Sequence, residues 1–237
     1  MSSTIPAPRS IGVFLGAGPE KFYEWVVWRQ SYLVMFCVAA IVAGAGAYGA
    51  VMGCWRDPLQ AVYTGIKLPL VMLLTTAGNG LLNGMLAPLL GLNITFRQSF
   101  AVVLMSFAIT SIVLGALSPV ALFIVWNTPP LAAGTQITSP EYAVMQLTLA
   151  VFVALAGVIG NVRLLPLLRE WAGSAAMGRN VLLAWLAVNL FLGSQISWVL
   201  RPFIWEANRP VAFVGQECFK GSFFETVFNA VCRLILT

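Results

Sequence analysis

The sequence contains no histidine and very little charge: 9% of its 237 residues are Asp, Glu, Lys or Arg. The missing imidazole removes the commonest metal ligand and the usual general base near neutral pH. Histidine-ligated haem, His-containing zinc sites and Ser-His-Asp triads are therefore excluded. The four cysteines, Cys37, Cys54, Cys218 and Cys232, form no C-x-x-C pair, so their spacing offers no metal or redox site. A hydroxyl such as Ser197 has no evident base beside it in the sequence, and neither catalysis nor a bound cofactor is expected. The shortage of charge decides the most. A soluble domain carries roughly a quarter charged residues, and a surface as poor in charge as this one could not face water.

What the chain has instead is apolar length. It is 59% hydrophobic, with a mean hydropathy of +0.89. A bilayer core of ~30 Å needs ~20 apolar residues in a helix. Five runs meet that length, at 32–53, 68–90, 99–126, 142–162 and 181–200, and none holds an acidic or basic residue in its interior. The fold class is read as all-α: a polytopic membrane protein with five transmembrane helices plus interfacial amphipathic helices. Three regions follow: an N-terminal interfacial segment at 1–31, a transmembrane domain at 32–200, and a C-terminal surface segment at 201–237. No apolar run with a small-residue cleavage site precedes residue 32, so the first span is expected to be signal and anchor at once.

Basic residues outnumber acidic ones, 13 to 8. They stand singly at the ends of apolar runs, where Lys and Arg reach headgroups, and form no cluster that could track a phosphate backbone. The expected partners are the lipid bilayer and other membrane protein subunits, with no nucleic acid. With five spans, Arg9, Lys21, Arg29, Arg97, Arg163, Arg169 and Arg179 share one side. Arg56, Lys67, Arg201, Arg209, Lys220 and Arg233 share the other. The loop at 127–141 carries no basic residue, which favours the N-terminus inside. The same parity puts Cys54 and Cys218 on one side, where an oxidising compartment would permit pairing if the geometry does.

Within the spans, small and polar residues stand out. Gly49 and Gly53 form a GxxxG pair that lets a neighbouring helix approach closely. Asn79 and Asn83 are four apart and share a helix face. Their carboxamides need partners that lipid does not offer. Either they make interhelical hydrogen bonds that fix packing, or they line a polar site of a transporter or channel. Pro119 predicts a kink in the third span. Segments 21–30, 56–67, 163–179 and 222–236 read as interfacial, the last with Phe223, Phe224, Val227, Phe228, Val231, Leu234 and Ile235 on one arc. At the end of the fifth span, Trp198, Arg201, Pro202 and Trp205 form a candidate partner-docking cluster. There Pro202 stops the helix and Arg201 can extend to phosphate or to Glu206.

The run RDPLQAVYTGIKLPLVMLLTTAGNGLLNG, followed by NITFRQSFAVVLMSFAITSIVLGALSPVALFI, resembles the Yip1-type multispan membrane proteins. The shared features are an Asp-Pro-Leu element before a span, a polar-spaced span, and a second span ending near a proline. The resemblance covers about residues 56–163. A full apolar span before Asp57 and the tail SQISWVLRPFIWEANRPVAF depart from the pattern. The chain is also similar to bacterial polytopic proteins with a Lys-Leu-Pro start to one span. The resemblance implies a membrane-organising or partner-binding role without catalytic residues. The expected function is that of a non-catalytic scaffold, assembly or accessory subunit in a bacterial inner membrane. The alternative is a small transporter or channel with its polar site at Asn79 and Asn83.

Overall fold

The computed structural model describes residues 10–28, 30–89, 95–129, 140–201, 203, 211–215 and 218–225. Among these there is no strand. The helices are α1 (Ile11–Leu15), α2 (Pro19–Trp28), α3 (Gln30–Cys54), α4 (Pro58–Leu89), α5 (Phe96–Asn127), α6 (Pro140–Val162), α7 (Leu165–Ala172) and α8 (Ala175–Val199). Five stretches are long and apolar enough to cross a membrane: α3, α4, α5, the stretch begun by α6, and α8. The protein is an all-α polytopic membrane protein.

One expected boundary is wrong, and the error matters. Residues 56–67 are not a surface joint between the first two spans. After a short turn in which Asp57 Oδ1 accepts from the Leu59 N–H at 2.7 Å, α4 starts at Pro58, where a missing N–H costs nothing, and continues through Lys67. The second span therefore does contain a charge. By contrast, α5 runs unbroken through Pro119. The Ser118 hydroxyl, one residue earlier, donates to the Leu114 carbonyl at 3.0 Å.

α5 lies at the centre, packing on α3, α4 and α6. A capping box starts it: Thr95 Oγ1 accepts from the Gln98 N–H, and Gln98 Oε1 accepts from the Thr95 N–H. This satisfies two otherwise orphaned donors at a helix end. Helices in lipid gain nothing from hiding apolar surface from one another, so backbone proximity and hydrogen bonds must hold them. Gly44 lies against the Ser111 backbone of α5, and Gly49 lies against the Thr64 carbonyl of α4. At Gly53 an added Cβ would stand 2.5 Å from Gln60 O and 2.6 Å from Ala61 Cα. α3 thus meets α5 through one small residue and α4 through the other two.

Fully buried Tyr48 of α3 ties in α6, its hydroxyl donating to Leu149 O at 2.8 Å. Tyr48→Phe removes that bond and little volume. Reversible unfolding in bicelles is expected to show a loss of about 0.6–1.7 kcal/mol, the range for interhelical hydrogen bonds in lipid. No measurable change would mean that the contact holds nothing.

Each end of the bundle has its own cover. At one end α1 and α2 fold beneath the spans, with Phe14 packed among Phe22, Trp25 and Phe36. Arg163, between α6 and α7, donates to Leu15 O at 2.5 Å. α7 turns Leu167 and Leu168 inward, and Gln30 Nε2 donates to Arg97 O at 2.7 Å. At the other end Trp55 donates to Pro129 O at 3.2 Å and stacks on Tyr142. The tail after α8 lies at that second end, over the start of α4. The described N-terminal helices and the described tail residues thus lie at opposite ends of the bundle, as an odd number of spans requires.

Candidate functional site: a polar seam on helix α4

α4 carries an unusual set of buried polar side chains: Gln60, Thr64, Lys67, Thr75, Thr76 and Asn79, each at most 1% exposed. Gln60, Thr64, Lys67, Thr75 and Asn79 follow one another at intervals of four, three, eight and four, so helical periodicity sets them along one stripe. On other faces of its first turns, Leu59, Val62 and Ile66 are about half exposed. The segment is amphipathic, as the sequence indicates, but inside out: polar groups face protein and apolar groups face outward. Lipid as solvent reverses the usual assignment of faces.

The stripe has two covers. Over its upper part lies the tail. Gln60 Nε2 donates to Phe203 O at 2.9 Å and to Thr64 Oγ1 at 3.1 Å. Lys67 Nζ reaches Ala212 O at 3.5 Å and lies 5.5 and 5.3 Å from the ring centroids of Phe203 and Phe213. Phe213 also meets Tyr63 edge-on at 5.5 Å. These cation–π contacts gain strength where water is excluded. Over its lower part lies α8. The Asn79 amide donates to the Asn189 carbonyl oxygen and, at 3.5 Å, to Trp185 O. Gly78 faces Leu192, and Thr75 faces Gly193.

Asn79 is therefore turned into protein and bonded across to α8. Asn83 is within α4, but its side chain is outside the described residues. Gly49 and Gly53 border the seam, since Gln60 and Thr64 carry the α4 backbone that they touch. Of the docking cluster, Trp198 and Arg201 form a compact knot. The guanidinium lies 3.9 Å from the indole centroid and donates to Trp198 O at 3.1 Å and Lys220 O at 3.2 Å, while the Gly215 N–H returns to Arg201 O at 3.0 Å. Pro202, Trp205 and Glu206 lie outside the described residues, as does the amphipathic segment beyond residue 225. Its first turn is helical, with Phe224 stacked on Phe191 of α8 at 5.3 Å.

Sequence reasoning missed Lys67 as a site residue. Standing just before Leu-Pro and a long apolar run, it looked like an end marker. The available signal was the spacing of Gln60 and Thr64 ahead of it, which puts all three on one face. Cys54 and Cys218, which parity allows to pair, are both free thiols. Among the described residues, no three His, Cys, Asp or Glu side chains converge to hold a metal ion.

Asn79→Leu removes one interhelical bond and keeps the volume roughly constant. The expected loss is small, about 0.6 kcal/mol, with the protein still folded and monodisperse on gel filtration. Collapse of the fold would instead make Asn79 the main tie between α4 and α8.

Comparison with protein-family models, curated proteins and solved structures finds no match for this chain.

Proposed function

We propose that this protein is a non-catalytic integral membrane scaffold or accessory subunit of a membrane complex. One observation carries the reading. Polar side chains in the seam are engaged with the chain itself: Gln60 and Lys67 with backbone carbonyls of the tail, and Asn79 with Asn189. Such groups serve to join elements, and what they join is a C-terminal segment held against one end of the bundle, where a partner can meet it. A membrane-organising role of the Yip1 type fits this arrangement. A helical bundle also suits a bacterial inner membrane, because single-chain spanning proteins of the outer membrane are β-barrels. Lys67 belongs to the seam and not to a surface loop, which leaves seven basic residues on the N-terminal side against five on the other. That difference supports an N-terminus inside.

Gentle extraction from native membranes, crosslinking and mass spectrometry test the proposal. A partner recovered in fixed stoichiometry, and lost when the chain is cut after Arg201, is the expected result. A protein recovered alone, which moves solute when reconstituted alone in liposomes, overturns it.

A second reading, transport, is favoured by two features of the seam. Ionisable residues within spans often mark pathways, and Lys67 is one. The Thr75 hydroxyl is buried with no hydrogen-bond partner, although Thr76 beside it bonds back to Met72 O at 2.7 Å. In that reading Asn79→Leu abolishes flux while the fold survives.

A further inference from the structure

Among the described arginines, Arg56 stands apart. Arg163 donates to the carbonyls of Leu15 and Ala17, and Arg201 to those of Trp198 and Lys220. Arg97, Arg169 and Arg179 are exposed, so water can satisfy them. Arg56 is half-buried, and its Nη1 is shielded from solvent with no hydrogen-bond partner. Asp57, the next residue, directs Oδ1 to the Leu59 N–H instead. A shielded donor on a charged group is costlier to leave unmatched than a neutral one. Such a donor calls for an acceptor that the chain itself does not supply.

The surroundings say which acceptor fits. Arg56 lies within electrostatic range of Lys67, so two positive charges add at this end of α4 and favour an anion over water. Lys67 keeps its contacts with the tail; only its field is needed. The turn that carries Arg56 is fixed, because the N–H groups of Arg56 and Asp57 reach Gly53 O at 3.1 and 3.4 Å and Gly53 is pressed against the α4 backbone. Beside it Trp55 stacks on Tyr142 at 4.8 Å. Indole and phenol rings prefer the headgroup level of a membrane, which sets the guanidinium at the level of the lipid phosphates. A guanidinium matches phosphate oxygens with two parallel N–H donors. From the same turn Leu59, Val62 and Ile66, each about half exposed, run down the outer face of α4. They offer an acyl chain a track that a free phosphate ion would not use.

We propose that Arg56 is the headgroup site of one specifically bound anionic phospholipid. The guanidinium donates to the phosphate oxygens, and an acyl chain lies along Leu59, Val62 and Ile66. A choline headgroup brings its own ammonium into the field of Arg56 and Lys67, whereas a glycerol headgroup does not, so the site selects phosphatidylglycerol over phosphatidylcholine. No partner protein is involved, and the site stands apart from the scaffold reading.

Native mass spectrometry of the full chain in detergent tests it, with an equimolar mixture of phosphatidylglycerol and phosphatidylcholine added. One phosphatidylglycerol per chain is expected to survive activation that strips every phosphatidylcholine. Arg56→Gln is expected to lower its retention about tenfold, through loss of a hydrogen bond between charged groups. Arg97→Gln, at an exposed position of the opposite end, is expected to retain it fully. Equal retention of the two lipids by the wild type overturns the proposal, and so does undiminished retention by Arg56→Gln. A second measurement needs no variant and stands if Arg56→Gln accumulates poorly. Phenylglyoxal labelling of the wild type, mapped by peptide, is expected to show Arg56 protected by phosphatidylglycerol and not by phosphatidylcholine, with Arg97 labelled alike in both. Labelling of Arg56 at one rate in both lipids overturns the proposal. Inorganic phosphate is expected to give no protection; protection equal to that by phosphatidylglycerol overturns the assignment to lipid.

Discussion

Replacing Gly49 or Gly53 by leucine is expected to abolish recovery of monodisperse protein. At both positions the atoms that a side chain would meet belong to the α4 backbone, the Thr64 carbonyl in one case and Gln60 O and Ala61 Cα in the other. A flexible side chain could swing aside, but a helix backbone moves only if the whole helix does. Overpacking a tight core costs about 1–3 kcal/mol even where neighbours can adjust. Here relief requires α3 and α4 to separate, which also pulls Thr64 and Gln60 away from the seam. Gly157 of α6 supplies the control, because nothing lies within 4 Å of a Cβ built there. Gly157→Leu is expected to leave yield and gel-filtration profile unchanged. If all three variants behave alike, close approach of α3 and α4 is not what holds this bundle.

The second large effect is expected from Asn79→Asp. The substitution is nearly isosteric, so packing is not disturbed, yet it puts a carboxylate where an amide donated to the Asn189 oxygen and to Trp185 O. The Trp185 carbonyl then faces an acceptor, and the Asn189 amide must turn over to offer its N–H instead. An ionised Asp costs up to about 2.5–3.5 kcal/mol on the insertion scale, the figure for the centre of a spanning helix. Asn79 lies past the middle of α4, so the expected loss is below that ceiling but above the effect of Asn79→Leu. Membrane-inserted protein per cell is the readout, with Asn79→Leu in parallel. Normal accumulation of Asn79→Asp would mean that water or a cation reaches this point, as the transport reading requires.

The five spans were legible in the sequence because lipid demands long uninterrupted apolar runs, and little else produces them. The parity of the two ends followed directly. What escaped was where α4 begins and what its first turns do. Hydropathy scores residues one at a time, so Lys67 ended the apolar run on paper while the helix continued past it. Its environment is built by Phe203, Ala212 and Phe213, well over a hundred residues away, and no local pattern points to them. Gln60 is paired with Phe203 across the same distance. Asn79 was conspicuous as a carboxamide in a span, but its partner Asn189 was one of several polar residues late in the fifth run. The glycines gave a clearer signal. A GxxxG spacing says that something approaches closely, though not that Gly49 and Gly53 serve α4 while Gly44 serves α5.

The central claim is that the α4 stripe is a sealed joint between parts of this chain, not a route through it. Cysteine accessibility along the stripe tests that most directly. In a chain whose native cysteines are replaced by serine or alanine, Thr64→Cys, Thr75→Cys and Asn79→Cys would each be treated with a membrane-impermeant maleimide in liposomes, applied from either side. Glu141→Cys, at an exposed position, serves as the reactive control. The three stripe positions are expected to stay unlabelled while position 141 reacts within minutes. Labelling of positions 75 and 79 at a rate near that of the control would contradict the account and reveal a water-filled path along α4.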